Sequence, residues 1–216
     1  MAIEENSLIL IPARYASTRF PGKPLVDIAG KPMIQHVYEK AAVVSDHVYV
    51  ATDDKRIYDA VLAFGGRAVM TSDTHRSGTD RCYEAYTKVK ELLQRNFDVV
   101  VNVQGDEPFI IPEQIESLIV RFEEPAVQIA TLAKPFAKND EIFDPNKVVF
   151  SANHTALYFS RNPIPYCRGV EREDWLAKTP FYKHVGMYAY RPEILKAVTS
   201  IPQGVLEQAE SLEQLR

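Results

Sequence analysis

The sequence lacks any apolar run near the roughly 18 residues that a membrane-spanning helix needs. It also lacks a basic surplus, because 25 Lys and Arg stand against 29 Asp and Glu and give a net charge of −4. Proteins that bind duplex nucleic acid usually carry such a surplus. The start, MAIEENSLIL, has two glutamates where a secretory signal would carry lysines. These absences predict a soluble cytoplasmic protein with no nucleic-acid partner and no membrane association.

Cysteine is scarce, since 216 residues contain only Cys82 and Cys167. These two could pair, but two cysteines in a chain of this size are more often buried thiols in a reducing compartment. Hydrophobic residues at 46% and charged residues at 25% are ordinary globular values. We therefore expect a globular domain of ordinary size that folds without a disulfide.

The common catalytic signatures are also missing. The sequence contains no G-x-x-x-x-G-K-[ST] and no G-x-G-x-x-G, which argues against P-loop and dinucleotide-binding sites. It has no H-E-x-x-H, paired C-x-x-C or G-x-S-x-G either, which removes the commonest zinc-hydrolase and serine-hydrolase interpretations.

Strand-like and helix-like segments alternate over the first 125 residues. Continuous apolar runs predict strands, and 3.6-residue periodicity with N-terminal Pro, Ser or Asp predicts helices. The predicted strands are 8–11, 48–51, 68–70 and 99–103, and the predicted helices are 32–44, 53–64, 78–93 and 112–122. After about residue 126, strand-like segments at 128–134, 156–161 and 184–191 follow without regular helices. The pattern predicts one α/β domain, a Rossmann-like three-layer α/β/α fold with a mostly parallel mixed sheet and an inserted lobe.

Two segments follow predicted strands, at the edge where open α/β sheets bind ligands. The first places Arg14, Arg19 and Lys23 in one loop after strand 8–11, which suits a polyphosphate. An ordinary solvated loop would look the same. The second places Asp106 just after strand 99–103, where a carboxylate suits Mg²⁺ shared with phosphate oxygens. Asp-Glu-Pro is also good turn chemistry, so a simple turn stays open.

Together these segments, I-P-A-R-x-x-S-T-R-x-P-G-K-P-L and V-N-V-Q-G-D-E-P, resemble the CMP-sugar synthetases, and most closely those specific for KDO (3-deoxy-manno-octulosonate). Further matching stretches are A-T-D, S-G-T-D-R, Y-F-S-R, H-V-G-M-Y and L-E-Q-A-E-S-L-E-Q-L-R, so the resemblance covers essentially the whole chain. It implies a Mg²⁺-dependent cytidylyltransferase that joins CTP and KDO and releases pyrophosphate. The product, CMP-KDO, would be used in lipopolysaccharide synthesis.

The resemblance also implies roles for particular residues. Arg14, Lys23 and Asp106 would be catalytic, with Asp106 as the metal ligand. The CTP-binding set would be Ala13, Arg14, Arg19, Lys23, Ser77, Gly78, Gln104 and Asp106, in which Ser77 and Gly78 read cytosine. For Arg19 an exposed arginine without a ligand is the alternative, and for Ser77 an ordinary helix cap is compatible with the role.

The KDO-binding set implied by the resemblance is Gln104, Arg161, His184, Tyr188, Glu207 and Glu210. A solvated acidic helix face is the ordinary alternative for Glu207 and Glu210, which would share that face with Gln214. A core histidine is the alternative for His184. We expect CTP binding within about 1–125, and sugar binding and homodimerisation within about 126–216.

Two features depart from the family pattern and keep other functions open. A family segment with a second metal-binding aspartate is absent after the terminal L-E-Q-L-R, and the stretch 145–154 is shorter than usual. Alternative functions are a cytidylyltransferase for another acidic sugar such as sialic acid, or a non-catalytic nucleotide-binding relative. The sialate pattern R-x-G-S-K-x-[IL]-x-x-K-N is missing, which disfavours the first.

Overall fold

The computed structural model describes residues 3–16, 20–143 and 146–216. The chain divides into two compact units, of which the first contains Met1–Ala130 and Gly186–Thr199 and the second contains Thr131–Val185 and Ser200–Arg216. We predicted a single domain whose CTP-binding part ends, and whose sugar-binding part begins, near residue 126. That division stays a prediction.

The first unit has alternating strands and helices that largely match the predicted ones. Its strands are β1 (Ser7–Ala13), β2 (Asp27–Ile28), β3 (Lys31–Pro32), β4 (Val48–Thr52), β5 (Ala68–Met70) and β6 (Val99–Asn102). Its helices are α1 (Met33–Ala42), α2 (Lys55–Ala63), α3 (Gly78–Leu93), α4 (Pro112–Ile119) and α6 (Pro192–Ser200), with 3₁₀ turns at Ile3–Asn6, Lys23–Leu25 and Val120–Glu123. Helix α6 was not predicted.

The strands of the first unit pair in the order β5-β4-β1-β6, all parallel. Strand β10 spans Tyr182–Tyr190, and its carboxyl-terminal half pairs antiparallel with β6. In this register Tyr188 lies opposite Asn102. Strands β1, β4 and β6 are buried almost throughout, which explains their continuous apolar sequences. Because β4 lies on one side of β1 and β6 on the other, the sheet has a switch point between β1 and β6, where α/β folds bind ligands.

Helices cover both faces of this sheet. Leu8 and Leu10 of β1 pack with Cys82 and Val89 of α3, whereas Ile11 of β1 lies on the face of α1. The Asp54 carboxylate accepts a hydrogen bond from the Arg56 N–H and caps α2, and Ser77 caps α3. The prediction of an α/β fold with a mixed sheet is therefore confirmed, and the strand pairings within the first unit are mostly parallel.

The second unit contains β7 (Ile129–Pro135, which begins in the first unit), β8 (Lys147–Phe150), β9 (Ala156–Ser160), α5 (Trp175–Lys178) and α7 (Val205–Glu210). It also has 3₁₀ turns at Asp140–Phe143, Arg172–Asp174 and Glu213–Leu215. Strands β8 and β9 form an antiparallel pair, β10 pairs with β8 at Lys183 and Lys147, and β7 pairs with β10.

The terminal helix differs from its prediction. Helix α7 ends at Glu210 because Ser211 adopts a φ of 50°, so Gln214 lies on a separate 3₁₀ turn and does not share its face. The reversal at Ser211 packs Leu212 on Val148 and Phe159. Glu207, which the alternative interpretation placed on a solvated face, is buried, and Leu206 is exposed. The predicted face shared with Gln214 and the alternative of a solvated Glu207 were therefore wrong.

Two other expectations concern burial and membrane contact. Cys82 and Cys167 are both buried and form no disulfide with each other, which confirms the prediction of buried thiols. Among the described residues, no helix combines the length and apolar character needed to cross a bilayer.

Candidate active site

A cavity of about 260 Å³ opens where β1 and β6 end in the first unit. Its lining includes seven of the eight residues in the predicted CTP-binding set: Ala13, Arg14, Lys23, Ser77, Gly78, Gln104 and Asp106. The eighth, Arg19, lies outside the described residues. The structure thus brings these predicted residues to one place, while their roles in binding CTP stay predictions.

The lining is cationic. Arg14, Lys23, Arg76 and Arg81 contribute positive charge, and Asp106 is the single carboxylate among the described lining residues. Lys23 Nζ donates a hydrogen bond to Asp106 Oδ2 at 2.7 Å, with the two side chains 35% and 51% exposed. This arrangement suits a polyanion, because several cations converge at a surface that solvent and ligand can reach.

Small residues let two loops approach the end of β1. A Cβ on Gly105 would lie 2.9 Å from the Pro12 carbonyl oxygen and 3.1 Å from Ile34 Cδ1. A Cβ on Gly78 would lie 3.3 Å from Pro12 Cγ. A larger residue at Gly105 would therefore push the Asp106 turn away from β1, which explains why the sequence between β6 and Asp106 contains glycine.

Ser77 and Gly78 form the start of α3. The Ser77 hydroxyl accepts a hydrogen bond from the Asp80 N–H at 3.1 Å, so its side chain caps the helix as the simpler interpretation predicted. Ser77 and Gly78 both line the cavity. Peptide donors and acceptors here can match the Watson–Crick edge of a base, and that role remains compatible with capping.

Arg81 is a lining residue that the sequence analysis did not select. Its side chain is 4% exposed, and NH2 donates to Asp53 Oδ2 at 2.9 Å. NH1 donates to Thr71 Oγ1 at 2.5 Å and to the Ser72 carbonyl oxygen at 3.3 Å. Because Asp53 follows β4 and Thr71 follows β5, Arg81 ties two strand ends to the first turn of α3.

A second contact fixes the same loop. His75 lines the cavity, and its Nε2 makes a hydrogen bond with the Glu84 carboxylate of α3. Burial raises the pKa of the Glu84 carboxyl, but hydrogen bonds from Lys88, the Ser72 N–H and His75 outweigh it and lower the pKa to about 2. Glu84 is therefore ionised at neutral pH and accepts bonds from this loop.

Of the predicted KDO-binding residues, Gln104 lines the cavity and donates to Asn102 Oδ1 at 3.1 Å. Tyr188 is half-buried on β10, where its ring stacks on Tyr190 with centroids 6.0 Å apart. Both belong to the first unit.

Arg161 and Glu210 form one cluster in the second unit. Glu210 accepts hydrogen bonds from the Arg161 N–H at 2.9 Å and from Ser160 Oγ at 2.7 Å, and these bonds lower the pKa of its carboxyl. The Arg161 guanidinium donates to the backbone carbonyls of Glu210 and Ser211. Both side chains are thereby held in defined positions.

Glu207 and Arg216 form a buried ion pair in the same unit. Glu207 is 4% exposed, and Arg216 donates to its Oε1 at 2.7 Å and its Oε2 at 3.0 Å. These charge-assisted bonds lower the pKa of the Glu207 carboxyl. The solvated acidic face predicted as an alternative is therefore absent at Glu207.

His184 is buried on β10, at 5% exposure. Its Nε2 lies 2.9 Å from Thr131 Oγ1 and its Nδ1 lies 3.4 Å from Gln214 Nε2. Burial lowers the pKa of His184 from 6.5 to about 4, so the ring is neutral at physiological pH. This is the satisfied core histidine of the simpler interpretation, and its role towards a sugar stays a prediction.

His184 should make stability depend on pH. Its folded-state pKa is depressed, so the unfolded state binds the proton first and stability falls as the pH drops from 6.5 to 4. The lost contribution is about 3 kcal/mol. Urea unfolding at pH 7.5 and pH 4.5 should show a smaller loss for His184→Gln than for wild type. Equal losses in both proteins would contradict this assignment.

The metal predicted at this site needs oxygen ligands. The described residues contain no group of three His, Cys, Asp or Glu side chains that could hold an ion alone. Asp106 supplies one carboxylate beside cations placed for phosphate. This fits Mg²⁺, which is commonly held by one or two carboxylates together with substrate phosphates.

Known proteins match almost the whole length of this chain. The sequence model of a family described as cytidylyltransferase matches residues 8–216. The 3-deoxy-manno-octulosonate cytidylyltransferase of Parabacteroides distasonis is 60% identical over 213 residues, covering 96% of this chain and 83% of that protein. The Escherichia coli protein of the same name is 49% identical over 216 residues, covering 98% and 82%.

A solved structure is similar as well. The structure of CMP:2-keto-3-deoxy-manno-octonic acid synthetase complexed with CTP superposes with a TM-score of 0.87 at 47% identity, covering 98% of this chain and 84% of that one. These matches extend across the cavity lining and the second unit. The chain therefore belongs to the cytidylyltransferase family, in the group of the 3-deoxy-manno-octulosonate cytidylyltransferases.

Proposed function

We propose that this protein transfers the cytidylyl group of CTP to KDO, giving CMP-KDO and pyrophosphate. The observation that carries the proposal is the cationic cavity at the switch point, lined by Asp106 and by residues from the loops after β1 and β6. Eight relatives named for this reaction are 49% to 60% identical to the chain. The KDO enzyme is therefore favoured over both alternatives.

Arg14 and Lys23 would hold the triphosphate. During transfer, negative charge concentrates on the departing pyrophosphate, and fixed cations stabilise that charge more than they stabilise the ground state. Lys23 lies 2.7 Å from Asp106 in the structure, so its ammonium must exchange this carboxylate for phosphate oxygen when CTP binds. The pair keeps both charges partnered until then.

The described lining residues favour direct attack by the sugar hydroxyl on the α-phosphorus of CTP. Both cysteines are buried, and neither lines the cavity. The Ser77 hydroxyl is engaged in capping α3. No side-chain nucleophile with an activating base is evident among the described lining residues, so an in-line displacement without a covalent enzyme intermediate is the economical mechanism.

We include Mg²⁺ in the proposal, with Asp106 as its protein ligand among the described residues. When bound, such an ion draws charge from phosphate oxygens and lowers the pKa of a hydroxyl that it contacts. For KDO recognition the proposal keeps the residues that the resemblance implies, which are Gln104 and Tyr188 in the first unit and Arg161, His184, Glu207 and Glu210 in the second. Their mixture of cation, neutral donors and carboxylates suits a polyhydroxylated acid.

A homodimer is also part of the proposal. The second unit exposes several large apolar side chains: Leu157, Tyr166, Val205 and Leu206. Exposed apolar surface of this kind often marks a protein interface. Light scattering should give twice the 24.5 kDa of one chain.

The test is pyrophosphate release from CTP and Mg²⁺ with KDO or with sialic acid. Release with KDO alone supports the proposal, and release with sialic acid instead identifies the other sugar. CTP binding without release under either condition would indicate the non-catalytic relative. Omission of Mg²⁺ should abolish release without unfolding the chain.

A further inference from the structure

The Tyr15 ring lies between helix α2 and the far end of the loop that carries Arg14 and Lys23. The Arg56 guanidinium carbon stands 3.3 Å from the centroid of this ring. On the Gly22 side, a Cβ added to that glycine would lie 3.0 Å from Tyr15 Cε2 and 3.1 Å from Tyr15 Cζ. The ring therefore contacts a cation of α2 and the backbone next to Lys23.

Arg56 is itself held in place by Asp54. Its Nε donates to Asp54 Oδ1 at 2.9 Å and its NH2 donates to Asp54 Oδ2 at 2.6 Å. Asp54 Oδ1 also accepts from the Arg56 N–H and caps α2. Such a two-point pair fixes the plane of a guanidinium, so Arg56 presents a flat face to the ring.

Gly22 fits this contact in two ways. Its φ is +72°, a conformation that other L-residues rarely adopt, and the Tyr15 ring occupies the space where a side chain would be. Its N–H donates to the Tyr15 carbonyl oxygen at 2.9 Å, which joins the two ends of the loop. Arg14 precedes Tyr15 and Lys23 follows Gly22. The contact between Tyr15 and Gly22 therefore affects the positions of both cations.

We propose that Tyr15 and Arg56 are positioning residues for nucleotide binding, which anchor the loop bearing Arg14 and Lys23 to the amino end of α2. Arg56 does not line the cavity, so it acts through Tyr15 and not by touching the nucleotide. The consequence for catalysis rests on the proposed function. Without the anchor, the loop samples positions in which the two cations no longer converge, and CTP must restore the order when it binds.

Kinetics with saturating KDO separate positioning from chemistry. Arg56→Ala should raise the KM for CTP about two- to fivefold, the size expected for an exposed cation–π contact, while kcat stays within about twofold. Arg56→Lys should recover part of the loss, because an ammonium keeps the charge but not the flat face. Tyr15→Ala should raise KM by at least as much, and the double variant should equal Tyr15→Ala alone.

Lys55→Ala is the matched control. Lys55 is the preceding residue of α2, is 81% exposed and pairs with Asp59, so its removal deletes a cation and an ion pair without touching Tyr15. Its KM should equal that of wild type. An equal rise in KM for Lys55→Ala and Arg56→Ala would overturn the proposal in favour of a general charge effect.

Hydrogen exchange tests the anchor without substrates. The Gly22 amide should exchange faster in Arg56→Ala and Tyr15→Ala than in wild type and Lys55→Ala, while amides of β1 stay unchanged. Equal Gly22 exchange in all four proteins would overturn the anchor. Absence of pyrophosphate release from wild type would instead defeat the proposed function, and the exchange result would still decide whether the anchor exists.

Discussion

Asp106→Asn is expected to lower kcat for pyrophosphate release by about 10³-fold, because a bound cation supplies several kcal/mol of transition-state stabilisation. The amide keeps the shape of the side chain but loses the charge that a hard cation prefers. Asp106 follows the Gly105 turn beside β1, so the substitution leaves the backbone of the site in place. Steady-state kinetics at saturating CTP, KDO and Mg²⁺ measure the effect.

The adjacent Glu107 provides the control for this prediction. Glu107 is exposed and does not line the cavity, so Glu107→Gln should retain kcat within about twofold. The free energy of unfolding of Asp106→Asn should lie within about 1 kcal/mol of the wild-type value, because the ion pair between Asp106 and Lys23 is solvent-accessible. A full loss of activity in both variants would assign the effect to local charge, and full activity in Asp106→Asn would remove its catalytic role.

Much of this cavity was predictable because its components follow strands that are visible in the sequence. The apolar runs 8–11 and 99–103 are long enough to identify buried strands, and parallel neighbours end at the same edge. Any loop directly after them must therefore face the same region. The observed register, which pairs Leu10 with Asn102, brings Arg14 and Asp106 to one cavity.

The contacts made by Arg81 could not be derived in this way. They depend on which strand lies beside β4. Loops separate Asp53, Thr71 and Arg81 along the chain, and hydrophobic periodicity does not determine the path of a loop. One signal was available. Arg81 lies on the buried stripe of α3 with Ala85 and Val89, so a charged residue stood where the pattern requires an apolar one.

The prediction for α7 was wrong for a different reason. Its sequence places acidic residues three apart, which is typical of a solvated face, but Glu207 is buried with its carboxylate partnered by Arg216. The packing of Leu212 on Val148 and Phe159 then requires the chain to turn at Ser211. Both contacts are tertiary, and local periodicity contains no information about either.

Arg81→Met is expected to destabilise the fold by about 3–5 kcal/mol, because removal of one partner leaves the largely buried Asp53 carboxylate unpaired. It should also raise the KM for CTP by at least tenfold, since the loop at Thr71 and Ser72 loses its link to α3. Urea unfolding and steady-state kinetics measure the two effects separately. Arg121→Met, which removes an exposed arginine of the same unit, should change neither.

The double variant Asp53→Asn with Arg81→Met separates stability from positioning. It removes the uncompensated charge, so part of the lost stability should return, as is typical when both members of a buried pair are replaced. The tie between the ends of β4 and β5 and helix α3 is still missing, and the KM for CTP should therefore stay high. Recovery of both stability and KM in the double variant would show that Arg81 only neutralises Asp53. Recovery of stability alone would show that the guanidinium holds the wall of the cavity in the shape that CTP needs.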